Sequence, residues 1–209
     1  MHQKTETIIK DLLKRYPSLE CIEKDITKAC QTLIDCFAGG GKVLVCGNGG
    51  SAADAMHIVG ELMKGFVLPR RLLSHERIYS EYVNNGLQRA LPAISLVGET
   101  GLTTAYANDV AADLVFAQQV HGYGNAGDAL IALSTSGNSK NILYAAEVAK
   151  AKKVKVVSLT GKGGGKLKEL SDVIICVPET ETYKIQELHL PVYHVLCLAI
   201  ENEFFGGEQ

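Results

Sequence analysis

Residues 130–141 read Leu-Ile-Ala-Leu-Ser-Thr-Ser-Gly-Asn-Ser-Lys-Asn. An apolar run of strand length stops at a group of hydroxyl and amide side chains around Gly137. From Ile142 to Lys150 the apolar positions then recur at helical spacing. The stretch predicts a strand, a tight polar turn and the start of a helix. Backbone N–H groups at a helix start have no partner within the helix and stand at the positive end of its dipole. Ser134, Thr135, Ser136 and Ser139 would therefore surround a seat for a phosphate dianion. A plain N-cap beside a serine-rich loop would carry the same residues, so this turn alone does not decide the function.

A second polar turn lies upstream: Cys46-Gly47-Asn48-Gly49-Gly50-Ser51-Ala52-Ala53, directly after the strand-like Lys42-Val43-Leu44-Val45. Its glycines permit positive φ and close approach of a ligand, and Ser51 is the expected N-cap of a helix running to about Lys64. No Gly-Lys-Ser/Thr follows, and the Gly-x-Gly-x-x-Gly spacing of a dinucleotide site is missing.

Strands are expected at Lys42–Cys46, Ala93–Val97, Ala129–Leu133, Val154–Leu159 and Val173–Val177, alternating with helices. That order calls for an α/β fold: a doubly wound sheet of five parallel strands in three layers. Ligands of such sheets bind at the carboxyl ends of the strands, where both turns fall. Two helices between Thr5 and Phe37, parted at Pro17-Ser18 and stopped by Gly39-Gly40-Gly41, make residues 1–39 a helical lead-in. Its apolar stripe is expected to pack against a second subunit. Phe66 to Pro92 is irregular enough to predict a mobile, lid-like excursion. The last helix, Glu181 to Phe205, is expected to be interrupted by Pro191.

With 209 residues and 46% hydrophobic content the chain can build one core, so a single domain over 1–209 is expected. A net charge of -2 without a basic cluster argues against nucleic acid and leaves small molecules or further copies of the chain as partners. The six cysteines lack metal or redox spacing and read as reduced core residues. The N-terminus begins no signal peptide and no apolar run is long enough to span a bilayer, so no membrane partner and a cytoplasmic location are expected.

His57 and Glu61 are four apart on one helix and share a face; Gln186 and His194 are eight apart on the last helix and share a broad one. Such a pair is compatible with a plain surface contact. The two turns, Gly-Asn-Gly-Gly-Ser-Ala at 47–52 and Ser-Thr-Ser-Gly-Asn-Ser at 134–139, resemble the signature turns of the sugar isomerase (SIS) domain family, and within it those of the phosphoheptose isomerases. The resemblance covers nearly the whole chain and implies a flavodoxin-like sheet and a homotetramer assembled through helices. It also implies one Zn2+ per subunit held by His57, Glu61, Gln186 and His194, with Glu61 and His194 as acid/base pair. By matched position, Asn48, Gly49, Gly50, Ser51, Asn108, Asp109, Ser134, Thr135, Ser136, Ser139 and Gln186 would contact a sugar-phosphate substrate, while His189 would only support or pack.

The implied reaction is the conversion of D-sedoheptulose 7-phosphate to D-glycero-D-manno-heptose 7-phosphate for surface polysaccharide, by way of an enediolate. Met56, Pro191 and Tyr183-Lys184 depart from the residues common in that family. Two other readings remain open: a non-catalytic tetramer that binds the replication initiator, and a sugar-phosphate sensor. Together, His57, Glu61 and His194 argue against the first, and the lack of a fused DNA-binding segment argues against the second.

Overall fold

The computed structural model describes residues 3–207. Met1, His2, Glu208 and Gln209 lie outside the described residues, and with them the N-terminal segment read for a signal peptide and both ends of the single-domain reading. In chain order the elements are α1 (Gln3–Arg15), α2 (Glu23–Ala38), β1 (Val43–Cys46), α3 (Gly50–Met63), α4 (Glu81–Gly86), β2 (Ala93–Ser95) and α5 (Thr100–Tyr106). There follow α6 (Val115–Tyr123), β3 (Ala129–Leu133), α7 (Lys140–Ala151), β4 (Lys155–Thr160), α8 (Leu167–Leu170), β5 (Val173–Cys176) and α9 (Thr182–Phe205).

All five strands pair in parallel in the order β2-β1-β3-β4-β5. Parallel strands must be covered on both sides, and β3 is buried at every position. Its residues divide by the twofold period of the strand. Ala129, Ile131 and Leu133 join Val43, Val45, Val157 and Leu159 under α1, α2, α3 and α9. Leu130 and Ala132 join Leu44, Cys46 and Val156 under α6, α7 and α8. The fold is the α/β sandwich expected from the sequence. Strand limits agree at β3 and differ by one or two residues elsewhere, and β2, at one sheet edge, is the shortest.

Helix α1 lies on α9 of its own chain. Thr5 is fully buried, donates to Glu203 Oε2 at 3.0 Å and accepts from Asn202 Nδ2 at 3.0 Å. Helix α9 runs unbroken through Pro191, against the expected interruption. The proline removes one N–H, whose i−4 acceptor would be the carbonyl of Glu187; that residue is exposed, so water can take the lost bond. Among the cysteines, Cys21 is exposed and Cys176 half-buried, which departs from a uniformly core placement.

The stretch expected to be a mobile lid is pinned at its root. Arg70 and Glu201 are both fully buried and joined at 2.8 Å. The Arg70 guanidinium also donates to the carbonyls of Leu62 (2.7 Å) and Glu61 (3.2 Å), closing the C-terminal end of α3. The Glu201 carboxylate accepts the backbone N–H groups of Phe66 (2.7 Å), Val67 (2.9 Å) and Leu68 (3.2 Å). An Arg71–Gln88 bridge and the Arg89 N–H bond to the Arg70 carbonyl close the excursion behind it.

Removing one partner of a buried pair leaves the other charge without compensation. Arg70→Met is therefore expected to cost about 3–5 kcal/mol in urea unfolding, whereas Arg71→Met, at the exposed neighbouring position, should stay within about 0.5 kcal/mol. Equal midpoints for the two variants would contradict a structural role for the pair.

Candidate active site

The chain leaves β1 for α3 on one face of the sheet and leaves β3 for α7 on the other, although the two strands are neighbours. A crevice opens at the carboxyl ends of the strands at such a switch point, and both polar turns line it. They are tied together there: Asn48 Nδ2 donates to Asn141 Oδ1 and Asn141 Nδ2 donates to Asn48 Oδ1, each at 2.9 Å.

Ser139 occupies the N-cap position of α7, yet its side chain makes no capping bond and lies 3.1 Å from Ser134 Oγ. This geometry separates the serine turn from a plain N-cap, because it leaves the first N–H groups of α7 without a side-chain acceptor. Ser136 is exposed; its Oγ accepts the Asn138 N–H at 3.1 Å, so its own proton remains available to a ligand. Gly137 has φ +65°, and a Cβ there would strike the Gly164 carbonyl, so the loop at 163–165 seats directly under the turn.

At the first turn, the N-cap of α3 is Gly49 at φ +57°, and not Ser51 as expected. Ser51 lies buried within the first turn of the helix, where its own N–H bonds the Asn48 carbonyl. The Gln186 amide lies against Gly50 so closely that a Cβ at Gly50 would come within 2.7 Å of its Nε2.

From this point α3 and α9 run side by side in the same direction. Gly50 faces Gln186, His57 faces Tyr193 across 136 positions, and Phe66 reaches Glu201. The pairing brings three of the expected residues together about two to three turns below the glycine turn. His57 Nε2 is 3.3 Å from Glu61 Oε1, and the His194 ring centroid is 5.0 Å from that of His57. Glu61 Oε2 is held by Lys64 Nζ at 2.7 Å, and the Glu61 side chain is only 13% exposed. His194 Nε2 is buried without a hydrogen-bond partner. Burial, reinforced by the nearby His57, pushes the His194 imidazole below its ordinary pKa against the opposing pull of Glu61.

Gln186 stands eight residues, roughly 12 Å, back along α9 from His194. The four residues expected to hold zinc do not close round a common point. Among the described residues no three His, Cys, Asp or Glu side chains form a group that could hold a metal ion. The residues nevertheless fit the ion in kind: imidazole and carboxylate donors suit zinc, and the orphaned Nε2 of His194 is a buried donor atom with nothing bound to it. Asn108 and Asp109 are exposed in a π-helical stretch after α5, bonded to each other at 2.8 Å.

Sequence reading missed Asp54 and Tyr193. The Tyr193 hydroxyl lies 3.0 Å from His57 Nδ1 and donates to Asp54 Oδ1 at 3.2 Å. The available signals were weak: Asp54 is one helical turn before His57, and Tyr193 precedes His194 directly.

His189, given a supporting or packing role, is fully buried. Neither ring nitrogen makes a well-formed hydrogen bond, the Thr160 backbone facing it without completing one. Burial lowers its pKa to about 4. The unfolded chain, with an ordinary histidine pKa near 6.5, then binds more protons than the folded one between about pH 6.5 and pH 4. Stability should fall as pH drops through that window, by up to about 3 kcal/mol, and His189→Phe should flatten the decline. Identical pH slopes for the two proteins in chemical denaturation would exclude this contribution.

Comparison with known proteins bears on the same turns and helices. SIS domain models match residues 101–199 and 9–87. A phosphoheptose isomerase of Helicobacter pylori (strain P12) is 43% identical over 195 residues, covering 93% of this chain and 91% of the relative. One from Akkermansia muciniphila is 37% identical over 199 residues, covering 95% and 96%. Among solved structures, the phosphoheptose isomerase of Francisella tularensis superimposes with a TM-score of 0.77 at 33% identity, covering 95% of this chain and 97% of that one. That of Neisseria gonorrhoeae gives 0.76 at 32%, covering 92% and 94%. Matches of this extent span more than nine-tenths of the chain, and the chain belongs to the phosphoheptose isomerases of the SIS domain family.

Proposed function

We propose that this chain converts D-sedoheptulose 7-phosphate to D-glycero-D-manno-heptose 7-phosphate, with Glu61 and His194 moving the protons. The observation that carries the reading is the gathering of His57, Glu61 and His194 from two helices, with one Glu61 oxygen engaged by Lys64 and His194 Nε2 left unbonded. Ketose-to-aldose conversion removes a proton from carbon 1, protonates the carbonyl oxygen at carbon 2 to give the enediol, then returns a proton to carbon 2 as the oxygen on carbon 1 loses one. It needs a base on carbon and a group able to exchange protons with oxygen. Glu61 is the base on carbon in this reading. His194, held largely neutral by its burial, exchanges protons with the two oxygens.

The serine turn would hold the phosphate through Ser134, Thr135, Ser136, Ser139 and the free N–H groups of α7. Asn48, Gly49, Gly50, Ser51, Asn108, Asp109 and Gln186 would contact the sugar. Zinc, where bound, would be held by His57, Glu61 and His194, with Gln186, the fourth expected ligand, two turns away, and would polarise the substrate oxygens.

We place the product in surface polysaccharide synthesis in the cytoplasm, and the protein in a homotetramer with α1, α2 and α9 between subunits. Large apolar side chains exposed along the α3–α9 pair, among them Met56, Met63, Tyr183 and Leu190, support that assembly. No helix among the described residues is long and apolar enough to cross a membrane.

Glu61→Gln and His194→Gln should each stay folded and lose about 10² to 10⁴ in turnover of sedoheptulose 7-phosphate, with losses that do not add in the double variant. Wild-type turnover in folded Glu61→Gln would remove Glu61 as the base. Ser136→Ala should instead raise KM with little change in kcat, and an unchanged KM would take that hydroxyl out of the phosphate seat. Light scattering should give a tetramer at micromolar concentration; a monomer would refute the assembly.

A further inference from the structure

The serine turn offers a phosphate no formal charge of its own: Ser134, Thr135, Ser136, Ser139 and the first N–H groups of α7 are all neutral donors. A sugar phosphate brings close to two negative charges at about pH 7, because its second pKa lies near 6. Lys140, the first residue of α7, leans to Asp113 at 4.0 Å, so its charge is partly answered within the chain.

Two further lysines stand on the loop that leaves β4, Gly161-Lys162-Gly163-Gly164-Gly165-Lys166. That loop is bonded to the serine turn at both ends. The Gly161 N–H donates to the Thr135 carbonyl at 2.9 Å, the Lys166 N–H to Asn138 Oδ1 at 3.1 Å and the Leu167 N–H to the Gly137 carbonyl at 3.0 Å. Between these bonds the two backbones touch: a Cβ on Gly165 would strike the Ser136 carbonyl, as one on Gly137 would strike that of Gly164. The backbone of Lys166 is thus fixed to the turn directly, and that of Lys162 follows a residue that is. Both side chains are exposed, and neither makes an ion pair or a side-chain hydrogen bond among the described residues. At the nearby start of α9, Glu181 is already held by Lys184 at 2.6 Å.

We propose that Lys162 and Lys166 recruit the dianionic phosphate of the substrate, acting as a positive field over the serine turn and not as fixed ligands. The proposal rests on the reading of that turn as the phosphate seat. A lysine ammonium is a compact point charge on a flexible four-carbon stem, so it follows an anion without a preset contact. Positive charges at the mouth of a crevice raise the local concentration of an anionic ligand, while the hydroxyls and N–H groups below fix its orientation. Exposed charges are screened beyond about 8 Å at physiological ionic strength, which gives such a field a salt dependence that a fixed hydrogen bond lacks.

Lys162→Gln/Lys166→Gln leaves every backbone bond of the loop in place. In about 0.05 M NaCl the double variant should raise KM for sedoheptulose 7-phosphate about tenfold with kcat within about twofold, the pattern of lost uniform binding. In about 0.5 M NaCl the difference in KM should shrink below about threefold. Lys153→Gln makes the same kind of charge change at an exposed position beyond the far end of α7, roughly 18 Å from its start, and should keep KM within about twofold. A wild-type KM in the double variant at low salt, a rise that persists undiminished at high salt, or an equal rise per charge in Lys153→Gln would overturn the proposal.

Isothermal titration with inorganic phosphate at about pH 8, where the dianion dominates, tests the seat apart from turnover. Wild type should bind phosphate, and the double variant about tenfold more weakly at low salt. Equal affinities, or no binding by wild type, would overturn the proposal. The expected loss of phosphate affinity in a protein whose wild type does not turn over sedoheptulose 7-phosphate would overturn the isomerase reading and leave the recruiting lysines standing.

Discussion

The side-by-side run of α3 and α9 is the constraint on which the proposed chemistry depends, and the buried Arg70–Glu201 pair fixes its lower end. Two charges in an apolar interior are tolerated only when nearly all their hydrogen-bonding capacity is used. Here Arg70 closes the carbonyls that end α3, and Glu201 gathers three successive N–H groups of the chain leaving it. Sliding one helix along the other would strand these groups. The relative height of His57, Glu61 and His194 is thereby set from one end, while the close fit of Gln186 on Gly50 sets it from the other.

The crevice at the carboxyl ends of the strands has a different origin. Strand order places β1 next to β3, and the crossovers leave on opposite faces, so the two polar turns meet at the carboxyl ends of their strands. The reciprocal Asn48–Asn141 bonds join turns 93 residues apart in sequence. Close packing of the 163–165 loop against Gly137 makes the floor rigid, which leaves backbone N–H groups and hydroxyls to face a ligand with little reorganisation.

The excursion between α3 and β2 shows how irregular sequence can mislead. Its composition reads as loop, and most of it is exposed, including Ile78, Tyr79 and Tyr82. Its root is nevertheless one of the most tightly bonded regions of the chain, because Arg70 finds its partner 131 positions away. Pro191 misleads in the opposite sense. A proline inside a helix reads as a break, but a single missing bond on a helix packed along its length does not outweigh the contacts of Ile185 before it and of Val192, Tyr193, Val195 and Leu196 after it.

The sequence by itself determined the alternation of apolar strands with amphipathic helices, the two polar turns at strand ends and the His57–Glu61 spacing. These are local patterns, set by the periods of strand and helix and by the φ freedom of glycine. The cap of α3 fell two residues before Ser51, because Gly49 reaches a positive φ that serine reaches only at a cost. Only the tertiary structure decided which residues meet across the chain. It brought His194 to His57 but left Gln186 two turns away, set Tyr193 and Asp54 behind the imidazole, and buried His189 without a well-formed bond. Such contacts depend on the register between two helices more than a hundred residues apart, and that register is fixed by packing and by one buried ion pair that no local period encodes.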